Sequence, residues 1–499
     1  MGIIKRQAIG YSIVNYAGVA IGSLSTLFLY PRDQQAYGLF RFLLDTANMI
    51  MPFAMLGATY VSIRMFPEFR DEKKGNKGFF MLLSLMALIG TVLFALFFYY
   101  FQPILFPTEG KKDAFLFDKY ILYIIPLFAF FGYFALLRQY CSNFLKVVFP
   151  AFLDQLIKIS FPIIFILFLS KIIDLTGLVH GILLHFVLML IITFFYLKKI
   201  GELSFQLPDF QGFNKEKWQQ IAGFALYGVV GSGSAMLALR IDTLMVSKMM
   251  GDLNDTGRFN IASIIGSNIA IPLTAIMAIA APVVSKAWKD DNLLEIKKIY
   301  QKSSENLLLV GLFLFGGVVL CVNDLFALMP RPKGDYSEEI MIVYIVGFKS
   351  VIDMATGVND IIIGYSKSYK FNLYAIVIMA VLNIIGNLFL IPRFGIVGAA
   401  MSTFLSNLIF NVAKFIFIKM KFGLMPYTFN VVKILIINIL FTSLCCFLPD
   451  LGNPLLNILF KGGIFTVLVA AAAIYFDASQ DMTALKQQIL KRLSARMGK

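Results

Sequence analysis

The chain has 499 residues, of which 59% are hydrophobic and only 15% charged, and its mean hydropathy is +0.79; a water-soluble chain of this length would carry about 25% charged residues. A formal net charge of +15 invites a nucleic-acid partner, but the cations sit in short clusters between long apolar runs, which excludes one. What remains is an all-α polytopic membrane protein whose partners include membrane lipids.

Apolar runs near the 20-residue length that a hydrocarbon core demands of a helix predict fourteen spans, at 8–30, 39–63, 79–101, 119–137, 147–170, 175–197, 221–247, 259–284, 304–328, 339–364, 371–391, 395–418, 429–448 and 455–476. The start, MGIIKRQAIG, has the basic character of a signal peptide but leads into a full-length apolar run, and so reads as an uncleaved first helix. With the N-terminus inside, 28 of the 44 Lys and Arg fall on that side, Lys5, Arg6, Lys146, Lys414 and Lys419 among them, against 11 on the other. This is the positive-inside bias, and it makes both termini cytoplasmic. The tail KQQILKRLSARMGK reads as an anchor to anionic headgroups. The segment SKAWKDDNLLEIKKIYQK at 285–302 is amphipathic and basic, and reads as a separate interfacial helix. Cys141, Cys321, Cys445 and Cys446 show no C-x-x-C spacing and read as buried small apolar residues.

The chain also repeats itself. Asn48-Met-Ile-Met-Pro52 matches Asn268-Ile-Ala-Ile-Pro272, Gly38-Leu-Phe40 matches Gly257-Arg-Phe259, and Gly177-Leu-Val179 matches Gly395-Ile-Val397, in the same order and at offsets of 220, 219 and 218. The halves are 1–200 and 221–420, each of six spans, joined by a polar linker at 201–220; 421–499 adds two spans and the basic tail. Six is even, so both halves enter the membrane from one side and are parallel repeats.

Charges inside spans are the candidate functional residues, since each costs roughly 2.5–3.5 kcal/mol at a bilayer centre on insertion scales. Arg41 with Asp45, Asp154 with Lys158 and Lys349 with Asp353 are each four apart and can pair along one helix face. Asp360 lies seven after Asp353 and extends that couple into a polar stripe with Thr356, Gly357 and Asn359, suited either to a coupling H+ or Na+ or to hydrogen bonding between helices. Arg240 and Asp242 point to opposite sides of their helix, so neither neutralises the other. Arg240 either snorkels to the interface or faces a cavity and meets an anionic substrate, with Arg41, Arg138 and Lys158 as further cations. His180 and His185, five apart, do not form a one-face metal pair and read as packed or interfacial residues. Neither G-x-x-x-x-G-K-[ST] nor H-E-x-x-H occurs, so the expectation is a non-enzyme without a cofactor.

The stretch LRIDTLMVSKMMGDLNDTGRFNIAS and its first-half counterpart AYGLFRFLLDTANMIMPFAMLGA resemble the seventh- and second-helix regions of polysaccharide transporters. These belong to the multidrug/oligosaccharidyl-lipid/polysaccharide exporter superfamily. Asp242, Gly251, Gly257, Phe259 and Ala262 fall on the family positions, as do Gly38, Phe40 and Gly57. The resemblance implies a V-shaped pair of six-helix lobes around a central cavity, working as a monomer by alternating access. Its implied cargo is a polyprenyl-pyrophosphate-linked oligosaccharide destined for surface polysaccharide or lipopolysaccharide, carried across the inner membrane. It also implies a groove for the polyprenyl tail on the two extra helices, as in the peptidoglycan-precursor flippases; the arginines that those proteins carry in the first helix are missing here beyond Arg6. A cation-coupled multidrug or metabolite antiporter of the same fold is the alternative.

Overall fold

The computed structural model describes residues 17–71, 76–144, 148–200, 203–208, 213–330 and 335–497. Residues 8–16 of the first expected span lie outside this range, as do Lys5, Arg6, Lys146 and parts of the 201–220 linker. Among the described residues the regular elements are helices: α1 (17–28), α2 (Gln34–Ala54), α3 (Ala58–Phe69), α4 (Phe79–Leu105), α5 (Ala114–Tyr120), α6 (Ile124–Asn143), α7 (Val148–Leu169), α8 (Leu175–Lys199) and α9 (Lys215–Met250). There follow α10 (Leu253–Ser267), α11 (Ile271–Lys289), α12 (Leu293–Leu328), α13 (Ser337–Ala355), α14 (Asn359–Tyr365), α15 (Lys370–Phe422), α16 (Asn430–Cys446), α17 (Pro454–Tyr475) and α18 (Gln480–Met497).

Nine helical stretches among the described residues are long and apolar enough to cross a membrane, and the bent pairs α2–α3 (41°) and α13–α14 (50°) raise this to eleven. α15 would be about 80 Å long at 1.5 Å per residue, far beyond a ~30 Å hydrocarbon core. It is broken at Gly395, where φ is 56° and ψ −140°, and so supplies the eleventh and twelfth expected spans. α16 is apolar but only 17 residues long, and α1 holds the described part of the first span. The protein is thus an all-α, multi-pass membrane protein.

Packing divides the chain into two compact units, Met1–Ile261 and Ala262–Lys499. In the first, α2 packs on α6 and α9, α3 on both of those, and α8 on α6 and α7. Aromatic rings fill this unit: Tyr30 stacks on Tyr37 at 4.3 Å, Phe161 meets Phe40 edge-on at 4.9 Å, and Phe117 meets Phe42 at 5.0 Å. In the second, α12 is central and packs on α11, α13, α16 and α17. The two C-terminal helices are seated there through Ile434, Ile437, Phe465 and Val469 against Leu308 and Leu309 of α12.

Two glycine sites show why small residues recur. Gly57, between α2 and α3, has φ +70° and a Cβ there would lie 2.3 Å from the Ala225 carbonyl oxygen, so α9 backbone fills the space. At the second, a Cβ on Gly38 would lie 1.8 Å from the Leu253 carbonyl oxygen, and one on Gly257 would lie 2.1 Å from that of Gln34. These four residues form two pairs at the repeat offset: Gly38 answers to Gly257 and Gln34 to Leu253. α2 and α10 therefore cross at these two glycines, backbone against backbone, as close helix packing in membranes requires.

One expectation needs correction. Residues 285–302 do not form a separate interfacial helix. α11 runs to Lys289, a turn with Asp291 at φ +48° follows, and α12 starts at Leu293 and continues into the apolar core. The reason is a helix N-cap at Asn292: its Oδ1 accepts from Glu295 N at 3.0 Å, while its side-chain amide donates to the Glu295 carboxylate at 3.3 Å. The amphipathic pattern came from reading the ends of two long helices as one short one.

Candidate functional site

α2 begins where the Asp33 carboxylate accepts from Ala36 N at 2.9 Å, and its third and fourth turns carry Arg41 and Asp45. Asp45 is 1% exposed, and its carboxylate lies between two guanidinium groups: Arg41 Nη2 at 2.8 Å from Oδ2, and Arg240 Nη1 of α9 at 3.1 Å from Oδ1. Arg240 was expected to have no partner on its own helix, and its ion pair with Asp45 lies off α9. Its partner sits on another helix, brought into reach because α9 packs directly along α2. Arg41 is anchored further. Its Nε donates to Asn260 Oδ1 at 3.1 Å, the Thr243 hydroxyl donates to the same oxygen at 3.1 Å, and the Asn260 amide donates to the Thr256 carbonyl at 2.9 Å. Arg41 and Asn260 are repeat equivalents, 219 apart, touching beside the Gly38–Gly257 crossing.

Two guanidiniums share the one Asp45 carboxylate. The two arginines are not alike. Arg41 is only 16% exposed at its side chain and is spanned by fixed partners, whereas Arg240 is 35% exposed. Arg240 is thus the more accessible of the two to an anion. Asp242, two residues on, is buried in α9.

The other candidates divide among separate pairs. Asp154 is held by Arg138 of α6, not by Lys158 as the four-residue spacing suggested; the Lys158 stem lies instead beside Gly18 of α1. In the second unit Lys349 Nζ and Asp353 pair along α13 at 2.9 Å, as expected, and Asp353 also accepts from Asn411 at 2.7 Å. The expected continuous stripe from Asp353 to Asp360 is interrupted. The helix breaks at Thr356–Val358 around Gly357, φ +61°, and bends by 50°, placing Asp353 on α13 and Asp360 on α14. Asp360 is paired with Lys414 of α15 at 2.9 Å.

Lys414 was read as a cytoplasmic rim residue, yet it is 1% exposed, donates to Asn359 at 3.3 Å and lies 3.8 Å from the centre of the Phe410 ring. Its place three residues after Asn411, on a face opposite both aspartates, was the only signal in the sequence. Asn260 was also missed, although the repeat alignment sets it opposite Arg41. His185 is buried and bonds Ser160 at 2.8 Å among Phe161 and Phe186, whereas His180 is exposed and bonds Tyr123 at 2.9 Å. No group of acidic, His or Cys side chains among the described residues is arranged to hold a metal ion.

Comparison with known proteins gives this geometry its context. Residues 18–288 match the model of a family described as polysaccharide biosynthesis protein. A lipid II flippase MurJ in an inward closed conformation superposes with a TM-score of 0.73 at 15% identity, covering 94% of this chain and 99% of its own. An inward-facing multidrug resistance MATE family transporter of the MOP superfamily gives 0.65 at 12% identity, over 81% and 94%. A MOP superfamily transporter from Pyrococcus furiosus gives 0.52 at 11%, over 85% and 95%. Curated proteins gave no match. The structural likenesses fix the fold, and the family match covers more than half of the sequence: the chain belongs to the polysaccharide biosynthesis protein family, built on the fold of the multidrug/oligosaccharidyl-lipid/polysaccharide exporters.

Proposed function

We propose that this protein moves a polyprenyl-pyrophosphate-linked oligosaccharide from the cytoplasmic to the outer leaflet of the inner membrane, for surface polysaccharide or lipopolysaccharide assembly, by alternating access between two six-helix halves. The observation that carries the proposal is the pair of arginines on the single carboxylate of Asp45, one of them partly exposed. A pyrophosphate brings about two negative charges, and charge-assisted hydrogen bonds to arginine are strong and bidentate. Arg240 can take up an anion without releasing Asp45, because Arg41 still neutralises it. Outward movement of an anion also runs with an inside-negative potential, at about 2.3 kcal/mol per charge per 100 mV. Arg138 and Lys158 are proposed as further headgroup contacts, and the termini are placed in the cytoplasm by the charge bias.

The second reading is a cation-coupled antiporter, which shares the fold. Asp353 and Asp360 are the carboxylates it needs, but both already hold a lysine ammonium, and a coupling cation would have to displace it. Complementation separates the two. Arg240→Ala, expressed at normal level in a deletion strain, is expected to lower surface polysaccharide about tenfold or more, the equivalent of one charge-assisted hydrogen bond of 1.5–3 kcal/mol. Normal polysaccharide with raised drug susceptibility would select the antiporter.

A further inference from the structure

The first unit contains a cavity of about 270 Å³ walled by α2, α4 and α9. Its lining is almost wholly apolar, with Phe53, Phe94, Phe97, Leu237 and Leu244 among the wall residues, and Lys248 as its one charged member. From Leu237 to Lys248, α9 rises about 16 Å, so the cavity is a narrow slot along the helices. Phe97 is 48% exposed and Leu105 37%, which leaves the slot open sideways through α4. That helix carries exposed Leu93, Leu96 and Phe101 on its outer face, the face that a membrane-spanning helix turns to lipid.

The charged end has an unusual environment. Lys111, in the loop after α4, packs its stem against Gly251, just past Lys248: a Cβ there would lie 2.8 Å from Lys111 Cγ. Lys111 Nζ is buried without a hydrogen-bond partner and lies 4.7 Å from the centre of the Phe117 ring. Burial first, and then the charge of Lys248, hold this ammonium below the usual lysine range, with Asp118 opposing. The adjacent Lys112 is already neutralised by Asp252 at 2.6 Å. Lys248 thus stands at the end of the apolar slot, and Lys111, outside its lining, is close enough to feel its charge.

We propose that the slot is a lipid site distinct from the Arg41–Asp45–Arg240 cluster. It takes the apolar chain of a phosphate- or pyrophosphate-headed lipid, with the phosphate between Lys111 and Lys248. One narrow slot fits one chain, which favours a single-chain polyprenyl lipid over a two-chain glycerophospholipid. The lipid's identity rests on the function proposed above; the site rests on its own geometry. Leu237 and Leu244 flank Arg240 on α9, so chain and headgroup contacts share one helix.

Photolabelling of the full chain in phosphatidylcholine nanodiscs, with a diazirine-bearing polyprenyl pyrophosphate as probe, tests this. Labels are expected on the peptide carrying Phe97, with the matching polyprenyl alcohol labelling weakly. The Lys111→Gln/Lys248→Gln double variant, monodisperse in detergent, is expected to lose about tenfold of the labelling, as removal of charge-assisted bonds to phosphate requires. Equal labelling by the alcohol, or undiminished labelling of the double variant, would overturn the proposal. So would competition by phosphatidylglycerol as effective as that by unlabelled polyprenyl pyrophosphate, which would mark an ordinary phospholipid slot. Displacement by inorganic pyrophosphate alone would reduce the site to an anion site and overturn its lipid character. Labelling in vesicles that show no transbilayer movement would keep the site and remove the transport reading; movement without labelling would do the reverse.

Discussion

Asp45→Ala is expected to destabilise the protein by about 3–5 kcal/mol, the cost of removing one partner from a buried ionic group, and by more than either arginine truncation. The carboxylate is 1% exposed and pairs with both Arg41 and Arg240. Its loss leaves two guanidiniums facing each other in a low-dielectric interior. Arg41→Ala should come next, because it also strips Asn260 of its donor beside the helix crossing. Arg240→Ala should cost the least, since Asp45 keeps Arg41 and the vacated position is partly open. Transport should rank differently, with Arg240→Ala losing most of it while remaining folded. Thermal unfolding in detergent, set beside complementation, reads both orders. A stability loss for Arg240→Ala equal to that of Asp45→Ala would make Arg240 a structural residue.

Gly38→Ala should be as damaging as a substitution of one methyl group can be. The added carbon would sit 1.8 Å from a backbone oxygen, where no rotamer change relieves the clash, so α2 and α10 must separate. Overpacking in a tight core typically costs 1–3 kcal/mol, and a backbone clash belongs at or above the top of that range. Gly257→Ala should behave alike, and the double variant should cost less than the two single losses combined, because both open the same crossing. Gly22→Ala and Gly223→Ala, with no atom within 4 Å of the new carbon, serve as controls; each should be neutral or stabilising by up to about 1 kcal/mol, the helix preference of alanine over glycine. Unfolding midpoints and detergent-extracted yield measure all five.

Much of this architecture was legible in the sequence because a bilayer imposes it. The described part of each expected span falls on helical segments, and Gly38 and Gly257, one of the three short matches, lie at one helix crossing. Local pairs were legible where helix geometry alone decides them, as with Arg41–Asp45 and Lys349–Asp353. Pairing across helices was not. Arg240 finds Asp45, Asp154 finds Arg138 and Asp360 finds Lys414 only through the way helices pack, which spacing along one helix does not encode. The break at Thr356–Val358 was hidden for a related reason: the apolar pattern runs through it, and only Gly357 hinted that the two aspartates would part. Lys414 was misplaced because charge near a span end ordinarily marks the interface, whereas here Asp360 draws it inside.

The central claim is that this chain carries a pyrophosphate-linked lipid across a bilayer with Arg240 as its headgroup contact. Its most direct test is transbilayer movement in vesicles holding the purified full chain and a fluorescent polyprenyl-pyrophosphate oligosaccharide, read by a membrane-impermeant quencher. Vesicles with the protein should expose the inner-leaflet pool well beyond the level of empty vesicles, faster under a potential that pulls the anion outward, and Arg240→Ala should slow this about tenfold or more. Exposure no greater than in empty vesicles, or an unchanged rate with Arg240→Ala, would contradict it.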